Sequence, residues 1–298
     1  MKTSLECLVC FYRQGLTTAQ LSSDNIKVQH QVLRELGTLL PSLDRELSPP
    51  ENAVFVYSLI AKITGEADPF AELKLESNNL ALGLQQQTKN HIITSPDPLF
   101  TALRYAIAGN IIDYGAQHDF NPRESLAKCV DEDFIINDYE ILHRKIRESP
   151  TPLNILYLAD NCGELVFDGL LVEQLLAHGC NIRLAVRGKT ILNDVTLDDA
   201  AYCSINQYCQ VIDNGTGCPG TPLAVCSQEF QQHFAEADLI ISKGQGNFET
   251  LSDVDAPLFF LLTVKCSVVA RHITQKRGLA MGIVTGSGKP ILMQQTIT

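Results

Sequence analysis

No apolar run in this 298-residue chain reaches the ~20 residues that span a bilayer, so the sequence holds no candidate transmembrane helix. The N-terminal stretch MKTSLECLVCF has too short an apolar core for a secretory signal and carries Glu6 within it. Basic residues are few and scattered. With 23 Lys and Arg against 34 Asp and Glu the net charge is −11, and the cationic stripe that grips a nucleic-acid backbone is missing. Ten cysteines give a density below that of disulfide scaffolds, and several, such as Cys129 and Cys266, fall in apolar or helix-like stretches, as reduced thiols do. Internal repeats and low-complexity tracts are lacking too. The expectation is a soluble, cytoplasmic protein with no nucleic-acid or membrane partner, in which a small anionic ligand needs a local site.

Hydrophobic residues at 45% and charged ones at 19% are ample for a sizeable core. The chain changes texture near its middle. In the first half, VQHQVLRELGTLLPSL, AVFVYSLIAKITG and PLFTALRYAIAGNIIDYG repeat apolar residues at three and four, the period of a helix face. Ser48 before Pro49 and Pro50 reads as a helix start. From Leu153 onward, short runs alternate with helix-like ones: NILYLA, NIRLAV, CQVID, DLIIS, LFFLLTV and MGIVTG. Runs that are apolar on both faces predict a parallel sheet covered on two sides. The expected fold is α/β, a three-layer α/β/α mainly parallel sheet with an N-terminal all-helical part. The Ser-Pro and Thr-Pro pairs at 149–152 place the boundary, giving a helical domain over 1–148 and an α/β domain over 149–298.

The ten residues DNCGELVFDG, from Asp160, are the most informative. They set a carboxylate and an amide oxygen, Asp160 and Asn161, where a strand-like run ends, and ligands of open α/β sheets bind at that edge. These are hard donors suited to Mg²⁺ or Mn²⁺. Asp194, in VRGKTILNDVT after the next strand-like run, supplies a third donor at the same edge if the sheet is parallel. The alternative is that Asp160 only caps the following helix. Glu164 and Asp168 share a helix face, either with that centre or as ordinary first-turn acids.

SKGQGNFETL follows the run DLII, and its two glycines permit close backbone approach to an oxyanion beside Lys243 and Asn247; a plain strand-to-helix turn would look the same. VIDNGTGCPGTPL offers Gly215, Thr216 and Gly220 after another strand, and Lys265 ends LFFLLTV. Acids at some strand ends and anion-binding donors at others make the composition of a metal-dependent phosphoryl-transfer site. GSGKP at Gly286 fails the P-loop pattern, with Ile283 and Pro290 in place of the required Gly and Ser/Thr, and reads as a hairpin turn. Cys7 and Cys10 form a CxxC without a second close pair, which favours structural thiols over zinc and leaves a redox or accessory metal role open.

Taken in order, CLVCFYRQ at Cys7, AIAGNIIDYG at Ala106, DNCGELVFD at Asp160, NDVT at Asn193, GCPGTPL at Gly217 and KGQGNFETL at Lys243 resemble the metal-dependent damage-control phosphatases, the domain-of-unknown-function family eighty-nine, over nearly the whole chain. The CxxC is similar to that of the subgroup found mainly in archaea and bacteria. The resemblance implies a phosphatase acting on a small phosphorylated metabolite, such as a sugar phosphate or a damaged phosphometabolite. It implies a divalent metal ion (Mg²⁺, Mn²⁺, Co²⁺ or Ni²⁺) on Asp160, Asn161 and Asp194. It places substrate against Asn161, Gln245, Gly246, Asn247 and Phe248, sets Lys265 on the phosphate, and makes Asp160 and Lys265 the catalytic pair. The arginine motif of the eukaryotic members is missing, since Thr263 and Val264 precede Lys265, so their substrate preference does not carry over. Whether Asp160 is nucleophile or ligand stays open. Two rival functions use the same sheet edge: an S-adenosylmethionine-dependent methyltransferase, for which NCGELVFDG lacks a clear glycine-rich loop, and a non-catalytic metal or nucleotide sensor.

Overall fold

The computed structural model describes residues 1–110 and 122–295. Its first helices are α1 (Leu5–Ser22), α2 (Ile26–Leu39) and α3 (Pro49–Thr64). They bury one another through Phe11, Val32, Leu36, Val56 and Ile60. Ser48 does start α3: Glu51, three residues on, accepts from the Ser48 backbone N–H at 2.9 Å, closing a capping box. α4 (Ala71–Thr94), α5 (Pro98–Ala108) and α6 (Pro122–Asp131) follow. Residues 111–115 of AIAGNIIDYG and the Cys129 side chain lie outside what is described.

The helical run is interrupted by a two-residue strand, β1 (Ile136–Asn137), before α7 (Tyr139–Arg147). The alternation then proceeds as β2 (Asn154–Leu158), α8 (Glu164–Ala177), β3 (Asn181–Val186), α9 (Leu197–Tyr202), β4 (Gln210–Asp213), α10 (Gln228–Glu236), β5 (Leu239–Lys243), α11 (Gly244–Leu251), β6 (Leu258–Thr263), α12 (Ser267–Lys276) and β7 (Pro290–Gln294). Among the described residues these strands form one seven-stranded sheet, in the order β1-β7-β6-β5-β2-β3-β4. All neighbours run parallel except β6 and β7.

Period-2 alternation sorts the strand residues onto two faces. Ile155, Tyr157, Leu184, Ile241 and Phe259 meet α4, α5, α7 and α8 on one side, while Leu156, Leu158, Ile240, Phe260 and Leu262 meet α10, α11 and α12 on the other. Burying each such side chain contributes about 1.5–3 kcal/mol. This is the three-layer, mainly parallel α/β fold expected, with helices ahead of it. The first buried cluster runs unbroken from Ala81 to Leu292, across residue 149.

Two local readings are corrected. MGIVTG is a turn rather than a strand: Met281 is 76% and Ile283 53% exposed, and only Val284 of the run reaches the core. GSGKP leads into β7, whose antiparallel partner β6 is separated from it by α12, so it is not a hairpin.

The order of the central strands positions the site. β3 and β4 continue outward from one side of β2, while β5 and β6 continue from the other. The crevice at the carboxyl ends of β2 and β5 is therefore the topological switch point, where open α/β sheets bind ligands.

Candidate functional site

Asp160 and Asn161 leave the end of β2 and pair with the segment that follows β3. An isolated bridge joins Asn161 to Asp194, Val195 N–H donates to the Asp160 carbonyl at 2.9 Å, and Cys162 N–H donates to that of Asn193 at 2.9 Å. The three expected metal ligands are thus brought together and buried, Asp160 at 8%, Asn161 at 7% and Asp194 at 3% exposure. The capping alternative for Asp160 fails: α8 begins at Glu164 with Gly163 as its cap, and Asp160 accepts instead from Asn161 Nδ2 at 2.7 Å.

Burial pushes the Asp160 carboxyl well above the usual range, as do the charges of Asp194 and Glu164; Arg187 and Lys265 pull it back. Asp194 is raised by burial and held down by Arg187. Arg187, at the end of β3, donates from Nε to Asp194 Oδ2 at 2.6 Å and from Nη2 to Asp160 Oδ1 at 3.4 Å.

Behind the ligands lies a second charged group. Lys243 is fully buried and donates to Glu164 Oε1, to Asp168 Oδ1 at 2.7 Å and to the Ala106 carbonyl at 2.7 Å. Tyr157 donates to Asp168 at 2.6 Å, and Asn110 to Glu164 at 3.1 Å. Lys243 is therefore spent on Glu164 and Asp168, which share a helix face as expected, and is no part of an open phosphate cradle.

Both glycines of KGQGN are needed for close approach, though to protein rather than to an oxyanion. A Cβ on Gly244, whose φ is +75°, would overlap the Asp160 carboxylate, and one on Gly246 would overlap the Pro219 carbonyl. Gln245 accepts from the Lys265 backbone N–H at 3.1 Å and donates to Glu249 at 2.9 Å, so it fixes the exposed Lys265 at the rim. Asn247 is consumed by the framework: its Nδ2 donates to the Ala159 and Lys243 carbonyls at 3.2 and 2.8 Å, and its Oδ1 accepts from Arg187 and Thr221 at 3.0 and 2.8 Å. Phe248 turns its side chain inward. Its ring is fully buried and edge-on to Phe260 at 5.0 Å, because the fifth residue of α11 faces the sheet.

Sequence reasoning missed Arg187 and Thr221. The signal for Arg187 was available, a charged residue directly ending an apolar strand run in the same loop as Asp194. Thr221, one residue past the last glycine of GCPGTPL, offered none.

The donor chemistry fits a divalent cation. Among the described residues no group of three or more His, Cys, Asp or Glu could hold a metal; the set here is two carboxylates and an amide, with hard oxygen donors throughout. Buried Asp160, Glu164, Asp168 and Asp194 stand against buried Arg187 and Lys243, two more carboxyl groups than cations, since nearby Lys74 is paired with Asp199 at 2.8 Å. A cavity of about 460 Å³ borders the same loop at Lys189, Thr190 and Leu192, but none of Asp160, Asn161 and Asp194 lines it.

Among the described residues no helix is long and apolar enough to cross a membrane. Comparison with known proteins places the chain in a family. A family model described as the damage-control phosphatase ARMT1-like domain matches residues 3–281. A damage-control phosphatase of Pyrococcus horikoshii is 33% identical over 285 residues, covering 93% of this chain and 96% of that protein. Another, of Archaeoglobus fulgidus, is 33% identical over 284 residues, covering 92% and 96%. The crystal structure of a DUF89 family protein of Pyrococcus horikoshii superposes with a TM-score of 0.86 at 29% identity, covering 99% of this chain and all of that one. By model, relatives and fold alike, this chain belongs to the ARMT1-like damage-control phosphatase family.

Proposed function

We propose that this family member hydrolyses small phosphorylated metabolites, sugar phosphates or damaged phosphometabolites, using a divalent cation (Mg²⁺, Mn²⁺, Co²⁺ or Ni²⁺) held by Asp160, Asn161 and Asp194. The observation that carries the reading is the pairing of Asn161 with Asp194, which sets two buried carboxylates and an amide side by side at the switch point of the sheet. Bound there, the cation supplies neutralisation of charge on the phosphoryl oxygens.

The chain's own residues do the rest. Lys265 stands exposed, close enough to lower the Asp160 carboxyl, which supports a role for it as a point charge on the phosphate. Gln245 pins the backbone of Lys265. The first turn of α11, with Gln245 and Gly246, turns backbone N–H groups and the positive end of its dipole toward the same crevice. Asn161 donates its amide hydrogen to Asp160, so the amide oxygen is the atom it has for a cation. Asp160 serves as ligand or as nucleophile; a covalent aspartyl phosphate requires Asp160→Asn to abolish turnover while metal still binds.

The test is phosphate release from a panel of sugar phosphates and an aryl phosphate by chelated protein resupplied with each metal. Metal-dependent turnover that Asp160→Ala removes supports the reading. No turnover with any metal overturns it, and tight ligand binding without turnover turns the site into a sensor.

A further inference from the structure

Arg187 is 2% exposed, and its guanidinium reaches four partners. Besides Asp194 Oδ2 at 2.6 Å and Asp160 Oδ1 at 3.4 Å, Nη1 donates to Asn247 Oδ1 at 3.0 Å and to Thr221 Oγ1 at 3.4 Å. A buried ion group costs desolvation, and a well-packed apolar residue often serves stability as well or better. Stability alone is therefore a weak reason for an arginine here. The geometry is more particular. Arg187 takes one oxygen from each carboxylate, and its planar fork fixes the rotation of both. Its third arm holds Asn247, which in turn grips the carbonyls of Ala159 and Lys243 beyond β2 and at the end of β5. Through Thr221 it also reaches the loop after β4. One side chain thus joins the loops that the site is built from.

We propose that Arg187 is a positioning residue: it orients Asp160 and Asp194 to receive a divalent cation and locks α11 against them. The role in turnover rests on the phosphatase reading; the role in metal binding is testable without it. The competing account is that Arg187 only balances charge. A point ammonium would then serve equally, and removal of the charge would strengthen the attraction for a cation.

The experiment measures Mn²⁺ binding to the full chain by electron paramagnetic resonance, for the wild type, Arg187→Lys and Arg187→Met, with circular dichroism to confirm folding. Arg187→Lys is expected to raise the Mn²⁺ Kd about tenfold or more, the usual effect of removing an outer partner of metal ligands, with a broadened bound-Mn²⁺ spectrum although net charge is unchanged. Arg187→Met is expected to weaken binding too. Wild-type affinity in folded Arg187→Lys, or tighter binding in Arg187→Met, overturns the proposal, as does failure of Arg187→Lys to fold or of the wild type to bind Mn²⁺. If the wild type binds Mn²⁺ yet hydrolyses no ester, the phosphatase reading falls while the comparison of variants still decides the role of Arg187.

Discussion

Gly244 lies against Asp160 so closely that a methyl group on its Cα would overlap the carboxylate, and its φ of +75° is one that L side chains rarely adopt. The glycine at the end of β5 therefore fixes where the acid at the end of β2 can stand. Gly244→Ala adds about 1–2 kcal/mol of backbone cost and pushes Asp160 aside. Since a misplacement of about 1 Å costs on the order of a hundredfold in rate, metal-dependent phosphate release should fall by about that factor. Unchanged turnover would show that the close approach does not constrain the site.

Lys243 is the only cation hydrogen-bonded to both Glu164 and Asp168 among the described residues. Burial raises the Asp168 carboxyl and the Glu164 charge adds to the rise, while Lys243 and the Tyr157 hydroxyl pull it down, leaving it at about 6. Lys243→Met leaves two buried carboxylates uncompensated and should cost about 3–5 kcal/mol, read as a lower urea midpoint. Adding Glu164→Gln and Asp168→Asn should recover much of the loss. A single variant as stable as the wild type would mean that the three groups do not share charge.

The central strands were legible because β2, β3, β5 and β6 are apolar on both faces, the pattern of a doubly covered sheet. β1 was not, since two residues carry no periodicity, and the strand exists only because β7 offers it an edge. Of the site, Asp160, Asn161 and Asp194 were legible as hard donors at strand ends. Arg187 passed unnoticed among scattered basic residues, although its place directly after an apolar strand run, in the loop of Asp194, set it apart. The inward turn of the Phe248 ring was not legible, because the likeness of motifs does not say which way a helix face turns.

Lys265 is exposed, so Lys265→Ala should leave the melting temperature unchanged within a degree or two. Loss of a charge-assisted contact to phosphate, worth about 1.5–3 kcal/mol, should raise KM roughly tenfold to a hundredfold in steady-state assays. An unchanged kcat/KM would remove Lys265 from the phosphate site.

Burial pushes Glu249 from its ordinary 4.5 up to about 7, the hydrogen bond from Gln245 opposing it. For an acid with a raised folded pKa, the folded state holds the proton more tightly, so stability declines as pH rises from about 4.5 to 7 and levels off above. Glu249→Gln should match the wild type near pH 4 and exceed it above pH 7 by up to about 3 kcal/mol. Chemical unfolding at both pH values checks this, and an equal difference at the two contradicts it.

The central claim is that a cation on Asp160, Asn161 and Asp194 drives phosphate release. The chain has no tryptophan to report binding, so the decisive measurement titrates Mn²⁺ into chelated protein while following free Mn²⁺ by electron paramagnetic resonance and phosphate release in the same sample, for the wild type and Asp194→Ala. Turnover should rise in proportion to bound Mn²⁺ in the wild type, and both should be lost in the variant. Full turnover in the chelated wild type, or Asp194→Ala that still binds Mn²⁺ and turns over normally, would contradict the account.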